Sequence, residues 1–253
     1  MALDRTLLID GDILIYKAAA ASERLICWDE SGELWSNSCD YREAVTRVEG
    51  ELERLVKHLH AGAAMVALSS RECFRRELYP DYKAHRKKTP KPTIYPAVRR
   101  WVESCYDTVC WEGLEADDVM GVIAKNRAYP SPKVIVSEDK DMLAVPCLLH
   151  RPHRPKEKRV RRITYRSAQR QHFTQTLTGD ATDGFPGLPG CGPKGAEKIL
   201  VEGTWDEVVA AYEKKGLGEE EALLQGRLAK ILNPRLYDVK TGKITLWDPR
   251  RAG

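Results

Sequence analysis

The strongest constraint on the fold is a set of short apolar runs, two of which end at, or lead directly into, acidic residues. Thr6–Asp10 (TLLID), Met65–Leu68 and Lys133–Ser137 (KVIVS) are only four or five residues long and do not alternate with polar positions. Such runs predict strands buried on both faces. Helical patterns lie between them. Ile13–Ala21 follows Asp12, its expected N-cap. Tyr41–His60 places Val45, Val48, Leu52, Leu55, Val56 and Leu59 at helical spacing. Ile94–Tyr106 and Ala116–Asn126 read as further helices, Thr108–Trp111 as a strand, and Asp139–Val145 as a short helix. Leu25–Trp28 and Glu33–Trp35 flank Ser31-Gly32 as a hairpin. Strands alternating with helices in this way predict an α/β domain with a mostly parallel central sheet.

Beyond about residue 167 the pattern turns helical: Ser167–Thr178, Lys194–Val201, Trp205–Lys215 opened by a Thr204/Glu207 capping box, and Glu219–Leu232. A final strand is expected over Ile244–Trp247. The expected division is therefore 1–166 and 167–253. A chain of 253 residues has ample length for its own core. Its seven cysteines show no CxxC spacing, which argues against a zinc ribbon or a disulfide framework and for a reducing compartment. The longest apolar stretch, Ala61–Leu68, is far below the roughly 20 residues that span a bilayer. The N-terminus lacks a cationic-then-apolar signal layout. A cytoplasmic protein with no membrane partner is expected.

The formal charge of +4 conceals segregation. Residues 71–100 hold ten Lys/Arg against three Asp/Glu, and residues 151–170 hold nine against one. Both blocks contain aromatic residues, a combination that suits phosphate contact plus base stacking as well as a solvated surface. The acids gather elsewhere. Asp10 ends the first strand; Glu115, Asp117 and Asp118 open a helix after another; Asp139 and Asp141 follow the Lys133–Ser137 run; Asp180 and Asp183 lie in a Gly-rich loop. In a parallel sheet the carboxyl ends of the strands share one edge. Carboxylates crowded there repel one another unless cations neutralise them, and all-oxygen donors favour Mg²⁺ or Mn²⁺ over zinc. Asp139-x-Asp141 shares one face of an extended segment, and Asp180-x-x-Asp183 one helical turn. Two such ions can serve phosphodiester hydrolysis.

These residues fall in motifs that resemble those of a known family. LLIDGD (7–12), FRRELYPDYKAHR (74–86), LEADDVMGVIA (114–124), VIVSEDKDM (134–142) and LTGDATDGFPGLPGCGPKGAEKIL (177–200) occur in the order found in the 5′ nucleases of the flap-endonuclease superfamily. The small 5′→3′ exonucleases of T-seven-like phages are the most similar group, and the resemblance runs through nearly the whole chain. It implies a PIN-like α/β fold with a helical arch, here about 71–93, and a helix–three-turn–helix module for duplex DNA. It also implies a first metal site of Asp10, Glu115 and Asp117 with Asp118 beside it, and a second of Asp139, Asp141, Asp180 and Asp183. By the same resemblance Lys83 and Arg86 contact the scissile phosphate, and Tyr82 is the ring on which a terminal base stacks. Arg75 and Arg76 join them on the arch. The Gly187–Gly195 turn, with Gly190, Gly192 and Lys194, binds a duplex phosphate and carries a K⁺ ion.

The implied activity is Mg²⁺-dependent 5′→3′ exonuclease and 5′-flap endonuclease action, with Mn²⁺ as a substitute ion. The implied substrates are double-stranded DNA with 5′ ends or flaps and RNA–DNA hybrids, in phage-type replication alongside replication proteins. The host cytoplasm would be the location if the chain is phage-encoded. Two departures stand out. Ser69-Ser70 replaces an Asp that the family carries after the strand before the arch, and Asp12 is either its substitute or a helix cap. The basic segment 151–166 exceeds the family pattern and is either an extra DNA-contacting ribbon or an exposed loop. The alternatives are a PIN-type ribonuclease, which should lack the YKxxR and GLPGCGPKG motifs, and a structure-specific DNA-binding protein with attenuated catalysis.

Overall fold

The computed structural model describes residues 5–85, 90–154 and 159–251. β1 (Arg5–Asp10) lies inside a six-stranded sheet of order β5 (Thr108–Val109), β4 (Ala61–Ala67), β1, β6 (Lys133–Val136), β7 (Leu148–His150) and β8 (Arg161–Arg162). All neighbours pair in parallel except β7 and β8. Asp10 sits opposite Ala67, and Ile9 opposite Val136, so the residues that follow all three strands emerge on one edge. β7 and β8 were not expected from the sequence. They are short, and β8 consists of two exposed arginines with no apolar signature.

Side chains alternate across β1. Leu7 and Ile9 pack on one face against α1 (Gly11–Ala21), α2 (Tyr41–Leu59) and α4 (Tyr95–Cys105). Leu8 packs on the other face with Ile135 and with Met120 and Ile123 of α5 (Ala116–Lys125); Leu232 and Tyr237 from the C-terminal part join that cluster. Full burial of each such side chain stabilises the fold by about 1.5–3 kcal/mol, which makes β1 a rigid base for Asp10. A third cluster, with Phe173, Leu177, Leu200 and Tyr212, joins α6 (Tyr165–Thr178), α7 (Pro193–Ile199), α8 (Trp205–Glu213) and α9 (Glu219–Ala229).

The turn from β1 into α1 corrects one expectation. Asp10, not Asp12, is the N-cap, accepting a hydrogen bond from the Ile13 amide at 3.1 Å. Gly11 makes this turn possible, because a Cβ there would lie 2.5 Å from Val66 Cγ1 and 2.7 Å from the Ala67 carbonyl. The hairpin forms as β2 (Glu23–Cys27) and β3 (Trp35–Cys39). The C-terminal strand expected over Ile244–Trp247 is two residues, β10 (Lys243–Ile244), paired with β9 (Tyr237–Asp238). Among its described residues the basic segment after β4 contains a short helix, α3 (Arg75–Leu78). Among the described residues no helix is long and apolar enough to cross a membrane. All seven cysteines are free.

Candidate active site

Four segments deliver carboxylates to the sheet edge. Asp10 leaves the end of β1, where its two oxygens accept from the Ile13 amide and the Ser137 hydroxyl, the latter at 2.7 Å. Glu115 caps α5, and Asp117 lies in its first turn. Asp139 caps the 3-10 turn after β6, accepting from the Asp141 amide at 2.8 Å. Asp180 and Asp183 come from the loop after α6, which Asp180 folds by accepting from the Thr182 and Asp183 amides.

Electrostatics show these groups acting on one another. Burial pushes the Asp10 carboxyl up to about 6; the Ser137 and Ile13 hydrogen bonds oppose the rise, and Asp12 and Asp139 add to it. Burial raises Asp141 to about 7, helped by the charges of Asp139, Asp183 and Asp180. Asp117 lies well above the usual carboxylate range because of burial and then the charges of Asp139 and Asp10. Two groups go the other way. Burial opposes the charge of Glu115, yet Lys83 and Arg75 hold it at about 2. Burial likewise opposes the charge of Asp180, and Lys140 at 2.7 Å lowers it. The cluster is thus short of positive charge around Asp10, Asp117 and Asp141. Its donors are all oxygens, a set that suits hard divalent cations. No three of these side chains among the described residues already form a ready-made cage.

Lys83 enters from the basic segment. Its backbone is left-handed (φ 55°), and its amide donates to the Asp183 carbonyl at 2.7 Å. Its ammonium lies 2.5 Å from Glu115 and 3.4 Å from Asp183. Tyr82, expected as an open stacking surface, is instead buried at 2% exposure. Its hydroxyl sits between Glu115 Oε2 at 2.8 Å and Asp183 Oδ2 at 2.9 Å, one proton serving two carboxylates. A ring enclosed in this way has no face to offer a base.

Arg75 is a second correction. It is 1% exposed and does not face solvent. Its five N–H groups go to both oxygens of Asp118, to Glu115, and to the carbonyls of Leu228 and Lys230. Asp118, expected beside the first metal site, is fully buried and devoted to this pair and to the Leu232 amide. It acts by holding Arg75 and the start of α5, not by touching a substrate. Arg76 is exposed. Arg86 lies outside the described residues.

Asp12 is held by groups outside the carboxylate cluster. Its oxygens accept from the Ser69 amide at 3.1 Å and the Tyr95 hydroxyl at 2.8 Å, and Arg99 is 3.8 Å away. Ser69 itself accepts from the Ala116 amide through its hydroxyl. In the Gly-rich turn, Gly187 is buried and its amide donates to Gln225, so it is not a phosphate ligand. Gly190, Gly192 and Lys194 are exposed at the entry to α7. In the segment 151–166, Arg151 is buried and donates to the Glu138 carbonyl, Arg161 and Arg162 are exposed on β8, and 155–158 lie outside the described residues. Sequence reasoning missed Ser137 and Gln175, both of which donate to site carboxylates. Ser137 could have been found as the polar residue ending a buried strand. Gln175 gave no signal beyond a polar residue on a helix.

Comparison with known proteins agrees with this geometry. Residues 5–162 match the family described as 5′-3′ exonuclease, N-terminal resolvase-like domain. The chain is 31% identical to an exodeoxyribonuclease of Enterobacteria phage T3, over 96% of this chain and 93% of the relative. It is 30% identical to the exonuclease of Escherichia phage T7 over the same shares. A flap endonuclease Xni of Vibrio parahaemolyticus is 30% identical, over 85% of this chain and 88% of its own. Among solved structures, the flap endonuclease of bacteriophage T5 in a pseudo-enzyme-product complex with DNA and metal ions superposes with a TM-score of 0.66 at 15% identity. That match covers 90% of this chain and 89% of the other. It places the chain in the 5′ nuclease, PIN-like fold.

Proposed function

The chain belongs to the 5′-3′ exonuclease family, and from that premise we propose that it is a two-metal-ion 5′ nuclease acting on DNA. The observation that carries the proposal is the convergence of Asp10, Glu115, Asp117, Asp139, Asp141, Asp180 and Asp183 on one sheet edge, with Lys83 reaching among them. The solved T5 relative holds metal ions and DNA. The first divalent cation would be held by Asp10, Glu115 and Asp117, and the second by Asp139, Asp141, Asp180 and Asp183, with Mg²⁺ the expected ion and Mn²⁺ its substitute. Bound cations supply charge for the attacking water and the leaving oxygen of an in-line phosphodiester displacement. The first site carries one carboxylate fewer than the family pattern, because Ser69 stands in that place and Asp12 is committed elsewhere.

The protein's own groups do the rest. Lys83 is paired with Glu115 and Asp183 here, and a phosphate entering the site would compete for its ammonium and gain stabilisation of developing negative charge. Tyr82 keeps Glu115 and Asp183 in place for the ions. Residues 1–166 form the catalytic part together with Asp180 and Asp183, and the rest of 167–253 binds duplex DNA through Gly190, Gly192 and Lys194, where K⁺ is also expected. Arg76 and Arg86 would meet the strand that carries the 5′ end. Contacts of this kind read the backbone and not the bases, so flaps, duplex 5′ ends and RNA–DNA hybrids are all proposed substrates. Replication proteins are the expected partners and the cytoplasm the expected location. The test is cleavage of a 5′-flap substrate in Mg²⁺ by wild type and Asp180→Ala, with folding checked by circular dichroism. Loss of turnover in a folded variant is expected; unchanged cleavage would refute the metal assignment.

A further inference from the structure

Gln175 of α6 uses only half of its amide. The side chain is 5% exposed, its Nε2 donates to Asp141, and its Oε1 is buried without a partner. With Asp141 ionised, as it must be beside a cation, the carboxylate only accepts, so the nitrogen faces Asp141 and the oxygen is left over. Gln175 lines a cavity of about 10 Å³ together with Glu115, Asp117, Asp141 and Asp183. That is room for about one water or small ion.

Among the described residues that line it, no side chain has a donor to spare. Arg75 also lines the cavity, but its five N–H groups are committed. The Tyr82 hydroxyl is held between Glu115 and Asp183. The other polar walls are carboxylates. A buried amide oxygen without a donor is unfavourable, and native structures keep few of them without a reason. A hydrated cation meets the need of the oxygen and of the carboxylates at once.

Taking the site to be a divalent-cation nuclease centre, we propose that Gln175 is a positioning residue of that centre. Its Oε1 is a neutral oxygen donor to the hydrated divalent cation, and its Nε2 fixes Asp141. A neutral donor adds coordination without adding negative charge to a cluster that already repels itself.

The test is Mn²⁺ titration by calorimetry, paired with thermal unfolding in EDTA, on full-length wild type, Gln175→Met and Gln175→Glu. Gln175→Met keeps the volume and removes the oxygen. It should lose some stability in EDTA because the Nε2 contact to Asp141 goes with it, while one Mn²⁺-binding step weakens about tenfold or more, the range seen when supporting groups around a metal are removed. Gln175→Glu restores an oxygen donor at the cost of a charge: it should be less stable than wild type in EDTA and keep or exceed wild-type Mn²⁺ affinity. Wild-type Mn²⁺ affinity in folded Gln175→Met would overturn the proposal and leave Gln175 a packing role. If Gln175→Met fails to fold, an unchanged Mn²⁺ affinity and unchanged EDTA stability in Gln175→Glu would overturn it. If wild type binds no Mn²⁺, the nuclease reading falls too; if wild type binds and Gln175→Met binds equally, only this inference falls.

Discussion

Replacing Arg75 by Met should destabilise the protein severely, and replacing its partner as well should undo much of the damage. Arg75 and Asp118 face each other with two charge-assisted hydrogen bonds of 2.6 and 2.9 Å, both side chains out of water. Arg75 alone satisfies the carbonyls of Leu228 at 2.9 Å and Lys230 at 2.6 Å. In Arg75→Met, Asp118 keeps only backbone donors and a buried, uncompensated charge. Breaking a buried pair from one side costs about 3–5 kcal/mol. The two stranded carbonyls add on the order of 1 kcal/mol each. A loss of about 5 kcal/mol is a large share of the 5–15 kcal/mol typical of a folded protein. At roughly 2–4 °C per kcal/mol for a chain of this size, Tm should fall by about 10–20 °C.

Urea denaturation of wild type, Arg75→Met, Asp118→Leu and the double variant closes a double-mutant cycle. The double variant has no stranded charge and should lie within about 2 kcal/mol of wild type, since apolar replacement of a buried pair is often close to neutral. A single-variant loss below about 1 kcal/mol, or strictly additive losses, would refute the assignment of Arg75 as a buried structural cation. Strong recovery in the double variant without recovered nuclease activity would fit the Arg75 contact with Glu115 at 3.2 Å, which the double variant also lacks.

Three further outcomes follow from the same contacts. Asp10 and Asp141 have carboxyls raised to about 6 and about 7 by burial, and Asp117 is raised with them, so these groups bind more protons in the native than in the unfolded state between about pH 4 and pH 7; buried His172, lowered to about 3, opposes them as a single group. Stability in EDTA should therefore fall as pH rises through that window, and saturating Mn²⁺ should flatten or reverse the slope; a Tm in EDTA that rises with pH across it would contradict the burial of these groups. Gly187→Ala should destabilise far more than Gly190→Ala in urea titrations. A Cβ at Gly187 would lie 2.2 Å from the Gly179 nitrogen, whereas Gly190 has open space and only its left-handed φ of 76° to lose, about 1–2 kcal/mol. Lys194→Ala should weaken duplex DNA binding and lower the salt slope by about one, with unchanged Tm; an unchanged slope would remove Lys194 from the DNA-facing surface.

The features legible in the sequence are those in which one residue's neighbours along the chain determine its environment. The amphipathic repeat of α2 and the short buried runs of β1 and β6 are of this kind. So are Asp10, Glu115, Asp117, Asp139 and Asp141, which needed only the rule that parallel strands end on one edge; Asp180 and Asp183, in a loop after a helix, are placed there by the resemblance alone. The misread residues depend on partners far along the chain. Arg75 looked like surface because its segment is basic, but its counter-charge, Asp118, lies 43 positions on and its carbonyl partners more than 150. Tyr82 was read as a stacking ring from the resemblance, and its hydroxyl is fixed by Glu115 and by Asp183, 101 positions away. Gly187 was read with its exposed neighbours, although Gln225 takes its amide.

These corrections share a sign. Arg75 and Lys83 are cations of the basic block that turn inward onto Glu115, and Lys140 does the same for Asp180. Arg99, from the same block, is occupied by Glu103 and lies near Asp12. The positive charge available to a nucleic acid is therefore smaller than the count of lysines and arginines between 71 and 100 implies. The negative charge left for cations is likewise smaller than the count of carboxylates. The cations placed inside leave Asp10, Asp117 and Asp141 as the under-neutralised part of the cluster, and those three carboxyls are the ones that burial and neighbouring charge raise. A substrate phosphate that draws Lys83 away from Glu115 would extend that deficit to a fourth carboxylate, so phosphate entry and cation binding should favour each other through Lys83.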